Sequence, residues 1–407
     1  MRIAIVIEKF DPAAGGNERS TEQIARRLIQ RGHDVTILAG SGLADALPGG
    51  TVRLAPGLST KTAIGLVLFV RWAGAQLREG RFDVSLSMTT AVAADVIEPR
   101  GGMVRETLAR NIARRPTEAR RTLKQLTVWL SPKQLALLAA ERRALHHPRR
   151  QRIVAISKYV KDQLFHHYMT RSKNVVMIPN AAEIHTLEPE ARQALRQRTR
   201  ATMGLDERDI VFVFAAMNPG LKGLPTLLKA MATVETRDPR ARLIIAGCQP
   251  HHATVSSAIR WVGPTRQMDA LYAAADVTVL PTWYDPSSKV VLESLLHGVP
   301  AISTLYNGAS QWIYDPTGEQ QPPSPFDAQA PAALLEGKAG RIIRSPEETD
   351  ALADAMTQLC DDQTRASCAD ATAGLADKIS MDVHVDQLET LLRELAHTPS
   401  PGGRGLG

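Results

Sequence analysis

The run Ala275-Asp-Val-Thr-Val-Leu-Pro-Thr-Trp-Tyr-Asp285-Pro-Ser-Ser288-Lys-Val-Val-Leu-Glu293-Ser-Leu-Leu-His-Gly-Val-Pro300-Ala-Ile-Ser303 decides the fold. The β-branched run Val277–Leu280 predicts a buried strand. Asp285-Pro286-Ser287-Ser288 predicts a turn, and the residues after it a helix stopped by Gly298-Val299-Pro300. A second apolar run, Ala301–Ser303, follows at once. Strand, helix and strand at this spacing form a βαβ unit, and such units build parallel sheets covered on both faces.

The same rhythm extends in both directions. Upstream, strands are predicted at Ile210–Ala215, Arg242–Ala246 and Ala258–Val262, with a helix over Leu224–Ala232. A polar, helix-prone connector, Glu188 to Arg208, precedes them. Before it the pattern occurs again: strands at Arg2–Ile7, Asp34–Leu38, Asp83–Ser87, Arg152–Ile156 and Val175–Ile178, and a helix from about Glu18 to Gln30 stopped at Gly32. The expectation is α/β: two Rossmann-like parallel-sheet domains, residues 1–180 and 181–381, facing across a cleft with ligands at the carboxyl ends of the strands. A last helix, 382–397, is expected to cross back to the first domain, and the Pro/Gly-rich tail 398–407 to be disordered.

Composition agrees with 407 residues in two or three domains. With 44% apolar and 22% charged residues the chain is globular and able to bury real cores, which excludes a disordered, collagenous or disulfide-stapled class. Three widely spaced cysteines (Cys248, Cys360, Cys368) suit a reducing compartment. Glu8, Lys9 and Asp11 break the first apolar run, so no secretory leader is expected; Ala63 to Val70 is stopped by Arg71, far short of a membrane span. The adjacent histidine pairs His146-His147, His166-His167 and His251-His252 diverge instead of converging on one ion, so they read as surface residues and no metal is expected.

Charge is divided unevenly. Residues 1–180 hold 29 Lys and Arg against 14 Asp and Glu, net +15; the remainder is net −8, giving +7 overall. The excess is densest over 100–152, where 14 basic residues accompany Glu106, Glu118 and Glu141, interleaved with Leu108, Leu123, Leu126, Val128, Trp129, Leu130, Leu135, Leu137 and Leu138. Basic heads beside an apolar stripe suit an anionic bilayer surface; solvated helices over the core would use the same residues. A nucleic-acid patch is disfavoured, because Trp129 is the only aromatic residue there and no stacking platform exists.

Three segments carry candidate chemistry. Gly15-Gly16, after the first strand, permits close backbone approach at a helix start, where free N–H groups favour a phosphate; an ordinary α/β turn also uses glycines. The spacing is not G-x-G-x-x-G, which argues against a dinucleotide. Lys222-Gly223, between strand and helix, is placed either to neutralise a pyrophosphate or to stand solvated in a loop. Asp285 and Glu293 lie about two helical turns apart, so they could hold hydroxyls of a sugar and of a ribose. Otherwise Asp285 is an N-cap and Glu293 a surface residue.

Taken together, these segments resemble a retaining glycosyltransferase of family 4 with the GT-B fold. The likeness rests on Gly15-Gly16, Arg31-Gly-His-Asp-Val-Thr-Ile37, Ile156-Ser157, Val176-Met-Ile-Pro-Asn180, Lys222-Gly223, Trp261-Val262-Gly263 and Asp285…Glu293 ending in Gly298-Val-Pro300, in order over about residues 1–320. Asp285-Pro-Ser-Ser and the basic stretch after Asp95 resemble, more loosely, glucosyltransferases of lipopolysaccharide cores. The resemblance implies donor binding by Gly15, Gly16, Lys222, Val262, Asp285, Ser288 and Glu293: Lys222 on the diphosphate, Glu293 on the ribose, Asp285 on sugar hydroxyls, and backbone N–H groups from Gly16 and Ser288. Asp95 matches a residue that would orient the acceptor, making Asp95, Lys222 and Asp285 the catalytic set.

Three departures stand out. Asp285 replaces the first glutamate of the family's pair, Ala216 and Met217 stand where an arginine is usual, and Pro99-Arg-Gly-Gly-Met103 lacks a histidine that relatives place near the acceptor. The implied activity is transfer of a hexose, with a UDP-sugar favoured, to a membrane-associated glycan or glycolipid. No cofactor or metal and no nucleic-acid partner is expected, and the location is the inner face of the cytoplasmic membrane. The alternative is a degenerate GT-B protein that binds sugar nucleotides or glycans without turnover.

Overall fold

The computed structural model describes residues 1–13, 15–57, 59–146, 151–170, 172–183, 188–249, 256–329 and 331–397. The tail 398–407, His147, His251, His252, Arg149 and Arg150 lie outside the described residues. The chain forms two compact units. One joins residues 1–180 with the segment from Met381 onward; the other is Ala181–Ser380.

The first unit holds seven parallel strands: β1 (Arg2–Phe10), β2 (Asp34–Gly42), β3 (Thr51–Leu54), β4 (Val84–Ser87), β5 (Val96–Ile97), β6 (Arg152–Ala155) and β7 (Val175–Met177), in the order β3-β2-β1-β4-β5-β6-β7. The second holds β8 (Ile210–Ala215), β9 (Ala241–Ala246), β10 (Ile259–Gly263), β11 (Val277–Leu280), β12 (Ala301–Thr304), β13 (Leu334–Gly337) and β14 (Gly340–Ile343), ordered β10-β9-β8-β11-β12-β14-β13. In each sheet the strand order reverses beside the first strand, between β1 and β4 and between β8 and β11, the positions where doubly wound sheets open a crevice. Central strands are fully buried because helices cover both faces: every residue of β8 and β11 is inaccessible or nearly so.

Four strands differ from the sequence reading. β3 alternates exposed and half-buried residues, β5 is only two residues long, and β13 and β14 form a hairpin that sequence periodicity did not register. The sheets were expected to be parallel throughout; β13 is antiparallel, because two residues join it to β14 and that leaves no length for a crossover.

The polar connector is an anchored helix, Pro189–Thr202. Its Arg196 and Arg200 each reach one oxygen of Asp276 at 2.6 Å, and Asp276 also accepts the Val211 N–H at 2.7 Å. The helix Met381–Ala396 packs Val385, Leu388 and Leu392 into the first unit. Arg27–Asp382 (2.7 Å), Arg31–Asp386 (2.6 Å), Arg31–Glu389 (2.8 Å) and His33–Glu389 (2.8 Å) rim the contact. The apolar run at Ala63 belongs to the helix Ala63–Glu79, which buries Leu66, Phe69 and Ala73 on the first sheet. Among the described residues no helix is long and apolar enough to cross a membrane.

The basic stretch forms three helices, Val104–Ala113, Glu118–Trp129 and Pro132–Leu145. Two of its glutamates are internal fasteners. Glu141 accepts the Val104 N–H (2.7 Å), the Arg105 N–H (3.3 Å) and the Tyr168 hydroxyl, so it caps the first helix. Glu106 is fully buried with Tyr159 (2.8 Å) and His167 (2.7 Å). Burial alone would raise its pKa, but His167, Arg110 and Tyr159 outweigh that and hold it below the usual carboxylate range. His167 is therefore a half-buried partner and not the surface residue its sequence context suggested. The apolar stripe divides: Val128 is buried, whereas Leu123, Leu126, Trp129 and Leu130 are 54–80% exposed.

Candidate active site

In the second unit the loops after β8 and β11 converge. Asn218 organises the first loop, its carbonyl accepting from Lys222 N–H (3.1 Å) and its Oδ1 from Leu221 N–H (3.2 Å). Gly223 then takes φ +83°, and a Cβ there would lie 1.9 Å from the Pro281 carbonyl oxygen. Only glycine permits this approach, which carries Lys222 against the β11 loop. Lys222 Nζ stands 2.5 Å from Asp285 Oδ2 and donates to the Tyr284 carbonyl at 3.2 Å.

Asp285 is held on all sides: its N–H donates to Tyr306 O (2.9 Å), its carbonyl accepts from Gly308 N–H (2.9 Å), and its Oδ1 accepts from Ser287 N–H (3.2 Å). It closes a turn and is not the N-cap. That position belongs to Ser288, whose side chain makes no cap bond in front of the helix Lys289–Leu296. Ser288 was expected to offer its N–H to a ligand. The structure corrects this, because the buried Asn307 takes that N–H on its Oδ1 (3.1 Å) and fixes itself through Nδ2 to Ser303 Oγ (2.9 Å). The amides of Val290 and Val291 have no intrahelical acceptor, since the first helical bond runs from Leu292 to Ser288.

Glu293, two turns further on, is half-buried and not a surface residue. Its Oε2 accepts the hydroxyl of the buried Tyr272 at 3.0 Å, and the same hydroxyl reaches Val290 O at 3.2 Å. Burial, then the Glu293 charge, pushes the Tyr272 phenol well above its ordinary pKa, so it remains a donor. Val262 sits at a register shift: Trp261 pairs with Ile245 and Gly263 with Ala246, leaving Val262 as the extra residue of a bulge whose side chain packs inward. Lys222, Asp285, Ser288 and Glu293 thus lie on two adjoining loops and the helix that follows.

Gly15, Gly16 and Asp95 belong to the first unit. Gly15 is extended and Gly16 opens the helix Gly16–Gln30; the space beside Gly16 is open. A pocket of about 420 Å³ lies at the carboxyl end of this sheet, bounded by Glu8, Lys9, Asn17, Glu18, Thr89 and Thr90 on the strand side. Its other wall comes from the basic helices, through Val104, Leu108 and Leu137 with the polar Thr107, Asn111 and Gln134. Asp95 is elsewhere. It precedes β5 and receives the Ser85 N–H (2.9 Å) and hydroxyl (2.5 Å), level with Ala4 on β1. Three residues of strand, roughly 10 Å at 3.3 Å each, separate that level from Ile7, the first β1 residue on the pocket wall, and Asp95 does not line the pocket. The catalytic role expected of Asp95 is therefore withdrawn: it staples two strands at their amino ends.

The sequence did not disclose Tyr272, Asn307, Glu8 or Asn17. Glu8 carried a signal, a carboxylate at the carboxyl end of the first strand. The other three gain their roles from contacts distant in sequence.

Two Rossmann-like units, each with polar residues collected at the carboxyl end beside its first strand, define a GT-B-type architecture. Residues 207–321 match the family model described as Glycosyl transferases group 1, so the second unit carries that domain. The structure is similar to that of WaaG, "a glycosyltransferase involved in lipopolysaccharide biosynthesis" (TM-score 0.73, 18% identity, 96% of this chain and 99% of that one). It is also similar to Anabaena HepE in complex with UDP and glucose (TM-score 0.65, 15% identity, 97% and 99%). Among curated proteins, D-inositol 3-phosphate glycosyltransferase of Corynebacterium aurimucosum is 24% identical over 257 residues, 59% of this chain and 55% of that protein. The chain spans about half the length of the curated relatives it matches.

Proposed function

We propose that the chain is a retaining glycosyltransferase that moves a hexose from a nucleotide diphosphate sugar, a UDP-sugar first among candidates, to a membrane-associated glycan or glycolipid such as a lipopolysaccharide core. The observation that carries this is the Lys222–Asp285 pair at the reversal point of the second sheet. A diphosphate draws the ammonium from Asp285 toward its own charge; Asp285 is then free to accept sugar hydroxyls. The bulged backbone at Val262 meets the base and Glu293 the ribose. As the sugar–phosphate bond breaks, charge develops on the leaving diphosphate, where Lys222 and the amides of Val290 and Val291 stabilise it. The acceptor hydroxyl attacks from the same face and passes its proton to the leaving diphosphate; the acceptor itself is assigned to the first unit's pocket. The reading invokes no metal. The matched domain and the UDP-bound HepE structure support the donor class.

We place the protein peripherally on the cytoplasmic membrane face. Leu123, Leu126, Trp129 and Leu130 would enter the bilayer while Arg120, Arg121 and Lys124 meet anionic headgroups. The test is UDP release over a donor and acceptor panel, with EDTA and with Lys222→Ala. Transfer that resists EDTA and collapses in the variant supports the reading. One observation favours a non-catalytic binder: Lys222 is already neutralised and the usual arginine is replaced by the exposed Met217. Nucleotide binding without transfer to any acceptor establishes that second reading.

A further inference from the structure

The pocket of the first unit has a chemistry that narrows the acceptor. On its strand side, Glu8, Asn17 and Glu18 offer hydrogen-bond acceptors. Glu8 gives one carboxylate oxygen to the Thr89 hydroxyl (2.9 Å) and keeps the other. Asn17 Oδ1 is buried and has no hydrogen-bond partner among the described residues. Glu18 folds its carboxylate back over Gly15, so that a Cβ on that glycine would meet Oε2 at 2.7 Å. Its charge therefore already occupies the positive end of the helix Gly16–Gln30.

Cations are scarce in the same place. Among the described residues Lys9 is the only basic one in the lining, and its Nζ lies 3.3 Å from Asp11. The densest basic stretch of the chain forms one wall, yet it contributes the apolar Val104, Leu108 and Leu137 and the neutral Thr107, Asn111 and Gln134, and no lysine or arginine among the described residues. The ionised phosphate group of a monoester offers no donor to Asn17 Oδ1 and would face two carboxylates. A sugar ring offers several O–H donors and an apolar C–H face for Leu108 and Leu137.

We infer that this pocket takes a sugar ring carrying no phosphate, gripped through its hydroxyls by Glu8, Asn17 and Glu18. The inference rests on the glycosyltransferase reading and on the placement of the acceptor in this unit. It sets the chain apart from the inositol 3-phosphate relatives, whose printed acceptor bears a phosphate.

The test uses the full chain saturated with UDP and saturation-transfer NMR with methyl α-glucopyranoside, methyl α-mannopyranoside, glucose 6-phosphate and myo-inositol 1-phosphate. The neutral glycosides should bind at least tenfold more tightly than the phosphorylated rings. Glu18→Gln should weaken the neutral ring about tenfold and narrow the gap, and Asn17→Leu should weaken every ring. The comparison in the wild-type protein needs no variant to fold. Equal or tighter binding of the phosphorylated rings, or Glu18→Gln without effect on either, overturns the inference and leaves the transferase reading standing. If UDP binds and no ring does, the acceptor placement falls and takes the inference with it. If UDP itself fails to bind, the transferase reading fails first.

Discussion

At the scale of single residues, the candidate site is built on strict local geometry. Gly223 is the clearest case: both its positive φ and the 1.9 Å approach to Pro281 O forbid a side chain. Gly223→Ala should cost about 2–4 kcal/mol by strain and overpacking, read as a lowered denaturation midpoint. It should also weaken UDP binding by displacing Lys222, and an unchanged midpoint would refute the geometric argument. Lys222→Ala should leave the fold intact and lower kcat roughly 10²- to 10³-fold, the scale of losing one preorganised charge stabiliser. Tyr272→Phe acts differently, through Glu293. It should raise KM for the donor several-fold with kcat nearly constant, and a 2′-deoxy donor should not feel the change; an equal loss for both donors would show a merely structural tyrosine. Lys222, Asp285 and Glu293 were legible because each stands in its own strand–turn–helix segment, Lys222 just before Gly223 and the helix after β8, and Asp285 and Glu293 eight residues apart after β11. Tyr272 and Asn307 were not, since a buried phenol or amide declares its partner only after packing.

At the scale of elements, one insertion performs two tasks with two surfaces. The inner side of the helices Val104–Ala113 and Pro132–Leu145 walls the pocket, and the outer side of Glu118–Trp129 presents apolar residues to solvent. Substitutions should separate the two. Leu126→Asn with Trp129→Ser removes exposed side chains, so stability should hold while co-sedimentation with vesicles rich in anionic lipid falls; retention on vesicles would refute the membrane assignment. Glu141→Ala instead strands two amides and the Tyr168 hydroxyl in the interior. It should cost about 2–4 kcal/mol, read by denaturant unfolding. Sequence periodicity exposed the helices and their amphipathic character but could not say that Glu106 and Glu141 face inward. A carboxylate in a basic run looks solvated until its donors from another element are known. The strands follow the same rule. Near-continuous apolar runs such as Ile210–Ala215 announce themselves, whereas β5 is a strand only because β4 and β6 flank it.

At the scale of the whole molecule, both units repeat one order over their first five strands, and in each the polar side chains collect where that order reverses. The alternation of strands and helices made that repetition readable; the return of the last helix to the first unit depends on charges spaced over 350 residues of sequence. Acid should test those charges. Glu389 is pushed up by burial, but hydrogen bonds from Arg31, His33 and Arg393 prevail and bring it from 4.5 to about 2. In the second unit burial likewise opposes, and the Lys338 side chain with the Gln320 and Thr317 donors prevails, taking Asp315 from 3.8 to about 2. A carboxylate whose folded pKa lies below its unfolded value stabilises the fold fully above the unfolded pKa. That contribution fades as pH falls toward the folded pKa. Stability should therefore decline between about pH 4.5 and pH 2. Glu389→Gln should lower the melting temperature at pH 7 and flatten that decline, by up to about 1.4 kcal/mol per pH unit for one proton. Asp315→Asn should do the same to the transition of the other unit. Circular dichroism melts at half-unit pH steps read both effects. A Glu389→Gln protein as acid-sensitive as the wild type would show that the last helix is held by its apolar face alone, through Val385, Leu388 and Leu392, with Arg31 and His33 merely solvated beside it.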